Sequence, residues 1–170
     1  MTVIDLKERA GILERETNGA DIAATFLRWM KNDVHAAAFL VLAHSLAKVW
    51  DDLTDQDRAC DQERITEAFT AALVTLPRNM FYQRNFNTLS NAIENGITDW
   101  QTANALEKTG MTEALRHAFS LRHGTHALVV TAARLIGGEK WARQVALEFV
   151  GAREAWAKYA AEHGCTDGVE

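Results

Sequence analysis

A chain of 170 residues, 48% hydrophobic and 24% charged, is long enough to bury a real core in one domain and too mixed in character for a disordered or fibrous polypeptide. Its formal net charge of -5 argues against general affinity for nucleic acid or for an anionic membrane surface. The two cysteines, Cys60 and Cys165, form neither a CxxC pair nor a cluster, so a structural zinc is disfavoured and two unpaired thiols in a reducing cytoplasm are expected.

The opening Met1-Thr2-Val3-Ile4-Asp5 lacks the basic-then-apolar order of a secretory signal. Residues 3–17 read as a first helix, broken at Asn18-Gly19. A second is expected from about Asp21 to Lys31, with Ile22, Phe26, Leu27 and Met30 on one face. Asn32-Asp33 offers a cap for a third, from about Val34 to Asp52, where Phe39, Leu42, Leu46, Val49 and Leu53 repeat at three and four residues and mark the buried stripe. Its apolar run, Ala36 to Ala43, falls far short of the ~20 residues of a membrane span, so a core helix is expected and no membrane association.

A fourth helix is expected over Asp61–Thr75, acidic at its start and ending before Pro77, the single proline. Met80–Lys108 reads as a fifth, kinked near Gly96 and stopped at Thr109-Gly110. Thr112–Ile136 is a sixth, ended by Gly137-Gly138. Glu139–His163 is the last, and residues 164–170 are expected to fray. With no repeat and no linker, the expectation is one all-α domain over residues 1–163, a helical bundle of six to seven helices.

Chemistry concentrates just after the third helix's apolar run. Asp51, Asp52 and Asp55 form a DDxxD pattern, and Asp57 follows. Hard cations take oxygen ligands, and magnesium needs only one or two carboxylates beside its waters. One reading makes Asp51, Asp52 and Asp55 magnesium ligands holding a diphosphate-containing small molecule. The other makes them the polar exit of a helix, with Lys48 three and four residues earlier as an ion-pair partner.

A second wall for such a site is available in the fifth helix, where Asn91, Asn95 and Asp99 recur at four-residue steps with Glu94 beside them. Asparagine is a weak helix former, so the ladder asks for a reason; a solvated face is the plain alternative. Arg116 and Arg122 in the sixth helix are candidates for phosphate oxygens. His123 and His126 share a face but lack a third ligand for a transition metal. GxGxxG, P-loop and GxSxG signatures are absent, as are an HD dipeptide and a di-iron ExxH pair.

Asp51-Asp52-Leu53-Thr54-Asp55 resembles the first aspartate-rich motif of class I isoprenoid synthases, all-α enzymes that hold magnesium and prenyl diphosphate between helices. Asn91-x3-Asn95-x3-Asp99 is similar to their second motif, with an amide at the hydroxyl position, in a much shorter chain. A likeness to that fold is therefore expected at most in part. Over most of its length the chain resembles a family of small phage and prophage proteins with a WDDLxDxD segment, a PRNxFY segment and a late GG near a tryptophan. Here these are Trp50–Asp57, Pro77–Tyr82, and Gly137-Gly138 with Trp141. That resemblance implies a viral protein in the cytoplasm of an infected bacterium and no particular activity. Two functions stand as expectations: a magnesium- and diphosphate-binding protein, or a non-enzymatic factor that binds a host or viral protein. Homo-oligomerisation is compatible with either.

Overall fold

The structure is a computed structural model in which residues 19–55, 59–122, 124–151 and 156–165 are described. Among these residues every regular element is helical, so the all-α class holds. No helix among them is long and apolar enough to cross a membrane. The expected helix over residues 3–17 lies outside the described residues. The chain divides into two compact units, one ending at Phe86 and the other starting at Asn87.

In the first unit, α1 spans Gly19–Trp29 and α2 spans Val34–Asp55. The α1 terminus turns through two left-handed residues, Lys31 (φ 50°) and Asn32 (φ 64°). The Asn32 amide donates to the Leu27 carbonyl and the Lys31 amide to the Arg28 carbonyl, the paired bonds of a Schellman cap. Asp33 then caps α2, its Oδ1 accepting from the His35 and Ala36 amides at 2.9 Å each. The first half of α2 is buried on every side, from Ala36 to Leu42, as an all-apolar helix must be. The expected stripe holds at Phe39, Leu42 and Val49 but fails at Leu53, which is exposed while the adjacent Asp52 takes the inward position.

Helix α3 covers Gln62–Thr70 and passes into a wider π-helical turn, Ala71–Thr75, closed by the Leu76 amide on the Ala71 carbonyl. Asp61 caps it, accepting from the Arg64 amide at 2.9 Å. Ala71 and Leu76 pack against Leu42 and Leu46 of α2. The short α4, Met80–Arg84, is capped by Asn79, whose Oδ1 accepts from the Tyr82 amide. Phe39 meets both rings of α4: Tyr82 stacks on it with centroids 5.4 Å apart, and Phe81 tilts against it at 6.0 Å.

The expected single helix from Met80 to Lys108 is two. It breaks at Asn85, where φ is -122° and ψ is 24°, and α5 then runs unbroken through Gly96 over Phe86–Glu107. In the second unit α6 spans Thr112–Leu121, α7 Gly124–Gly151 and α8 Trp156–Glu162. The expected helix over Thr112–Ile136 thus divides near Gly124. The expected stop at Gly137-Gly138 holds: Gly138, at φ 74° and ψ -175°, leaves the helical conformation, so α7 is two helical segments that meet at a kink there. Gly137 answers a different need: a Cβ there would lie 2.6 Å from the Trp141 indole. Helix α8 ends in a second Schellman cap, Cys165 amide to Ala160 carbonyl and Gly164 amide to Ala161 carbonyl, with Gly164 at φ 68°. Residues 166–170 lie outside the described residues. The core of this unit joins Ala103, Ala118 and Tyr159 with Phe119 and Trp156.

Candidate functional site

The three nominated aspartates meet different surroundings. Asp52 is buried at 5% exposure, Asp51 is half-buried and Asp55 is exposed. Asp52 continues the inward face of α2 through Ser45 and Val49, at steps of four and three residues. It survives there because Arg64 of α3 donates Nη2 to its Oδ2 at 2.5 Å. Arg64 is held in turn: its own amide bonds to the Asp61 cap, and its Nη1 donates to Cys60 Sγ at 3.4 Å. The charge partner of Asp52 is therefore a long-range arginine rather than Lys48. A carboxylate committed to a guanidinium inside the protein has little to offer a metal, which would have to displace that bond. Among the described residues, no group of three or more His, Cys, Asp or Glu side chains is placed to hold an ion.

The proposed second wall belongs to the other unit, on α5. Asn91, Glu94 and Asn95 are exposed and Asp99 is half-buried. The buried side chains of this helix are Leu89, Ala92 and Ala103. Along the polar face the hydroxyls of Ser90, Thr98 and Thr102 bond back to carbonyls of their own helix. That is how a solvated helix face satisfies itself.

The two nominated arginines are engaged with protein groups. Arg116 lies over the Trp156 ring, 5.2 Å from its centroid. Arg122, at the C-terminal cap of α6, grips Glu107 with two donors, Nε at 2.7 Å and Nη2, and lies over Trp100 at 5.8 Å. Glu107 also accepts from the Tyr159 hydroxyl, and His163 Nε2 stands 3.8 Å away. One carboxylate thus ties the ends of α5 and α6 to α8. Burial pushes the Glu107 carboxyl up, but the hydrogen bonds from Arg122 and Tyr159, with the Arg122 and His163 charges, outweigh it and hold the group below its usual range. Burial and the Glu107 contact push the Tyr159 phenol up. A carboxylate holding three donors, beside a phenol that resists ionisation, is a clamp and not an acid–base pair.

Sequence reading passed over this clamp, although one signal was present. Glu107 is the final residue of α5, where the helix dipole disfavours an acid and a compensating cation is to be sought. The partners themselves, 15 and 52 residues away, have no local signature. His126, of the histidine pair, lies edge-on to the Phe149 ring at 5.1 Å, and His123 is outside the described residues.

The surface offers a different feature. Phe69 and Leu73, four residues apart on α3 and its π turn, are 61% and 72% exposed, and Val74 beside them is also exposed. Helix α7 exposes Leu147 and Val150 in the same way. Single exposed leucines are ordinary, but large apolar side chains grouped on one face mark contact surfaces.

No family model matches the chain, and comparison with curated proteins and with solved structures gives no significant match.

Proposed function

We propose that this chain is a non-enzymatic helical interaction protein that docks on protein through apolar side chains displayed on its helices. The observation that carries this reading is the group Phe69, Leu73 and Val74 standing in solvent on α3 and its π turn. The groups nominated for chemistry support it from the other side. Asp52 is engaged by Arg64, Arg122 by Glu107, and Arg116 by Trp156. The resemblance to small phage and prophage proteins fits a factor that works in an infected bacterium by contact with host or viral proteins. It also fits the structural duties of the shared segments, since Asn79, Phe81 and Tyr82 secure α4 to α2 and Gly137 makes room for Trp141.

A photo-crosslinking amino acid placed at Leu73 tests the reading in cells. Capture of protein at this position, and none at exposed polar Gln101, is the expected result. Equal or absent capture at both positions would remove the docking surface.

A further inference from the structure

We draw no further inference here: the strongest candidate, the exposed apolar face of Phe69, Leu73 and Val74 on α3 and its π turn, is the docking surface already proposed, and nothing in the structure shows what covers it.

Discussion

Asn79 Nδ2 donates to the main-chain carbonyl of His35 at 2.8 Å, joining residues 44 apart in sequence. The same side chain caps α4 through its oxygen, so a single buried amide uses both ends, one to start a short helix and one to fasten it to the first turn of α2. Asn79→Ala should remove the cap and strand the His35 carbonyl, costing about 2–3 kcal/mol. Asn79→Asp keeps the cap oxygen but turns a donor into a charged acceptor facing that carbonyl, and should cost at least as much. Urea unfolding of the two variants checks the assignment. A mild loss in the aspartate variant would show that the cap alone matters.

The Asp52–Arg64 pair gives stability a dependence that a metal site would not. Removing either partner leaves a buried charge alone, and Asp52→Asn or Arg64→Gln should each cost roughly 3 kcal/mol. The double variant should lose clearly less than the sum, because the second change relieves the first. Calorimetric titration with magnesium should give negligible heat in the wild type, in Asp52→Asn and in Asp55→Asn. Magnesium binding by the wild type that disappears in both variants would restore the aspartates as ligands.

Glu107 sets an acid limit. Its folded carboxyl lies below the usual 4.5, so the clamp's contribution is complete above that value and is lost as pH falls through the lower folded value. Glu107→Gln should flatten the stability profile on this limb while lowering stability at neutral pH, since Arg122 loses its counter-charge. Stability measured against pH, with Tyr159→Phe as a partial removal of the clamp, separates this limb from general acid unfolding. An unchanged profile in Glu107→Gln would exclude the clamp as its source.

His44 acts at a higher pH. Burial first, and then the Lys48 charge, lower its pKa from 6.5 to about 4, and its ring lies edge-on to Phe26. The unfolded chain therefore binds a proton between these values that the folded chain refuses. Stability is full above pH 6.5 and falls as pH drops toward 4, by at most about 3 kcal/mol at 1.36 kcal/mol per unit. His44→Leu should abolish the slope in that window and leave the Glu107 limb below it. Thermal unfolding at a series of pH values measures both, and a slope retained in His44→Leu would assign it elsewhere.

What could be read from the residues alone follows the range of the forces involved. Helix spans and caps are set within a few residues, and the Asp33 cap and the buried run of α2 were legible for that reason. Breaks were less so. Gly96 looked like the weak point of the long fifth helix, yet one glycine costs a helix only about 1 kcal/mol, and the break falls at Asn85, whose side chain bonds to the Phe81 carbonyl. Long-range partners were out of reach. Periodicity says that Asp52 shares a face with Val49, but not that Arg64 meets it, and nothing near Glu107 announces Tyr159. The nominated site was a list of residue types suited to a chemistry. Pairing across the fold gave three of them, Asp52, Arg116 and Arg122, another occupation.

Gly137 and Gly138 stand side by side and are required for unrelated reasons, which gives them different genetics. Alanine at either should impair the protein, but the defects should respond to different second-site changes. At Gly138 the backbone itself is the obstacle, since φ is 74° and nothing lies within 4 Å of an added Cβ. No change in a neighbouring side chain can relieve that. At Gly137 the obstacle is the Trp141 side chain from its Cβ outward, 2.6–2.7 Å from an added Cβ, and Trp141→Gly, which removes all of it, should act as an intragenic suppressor. A suppressor screen begun from each alanine variant would therefore tell shape from space in two adjacent residues of the same type.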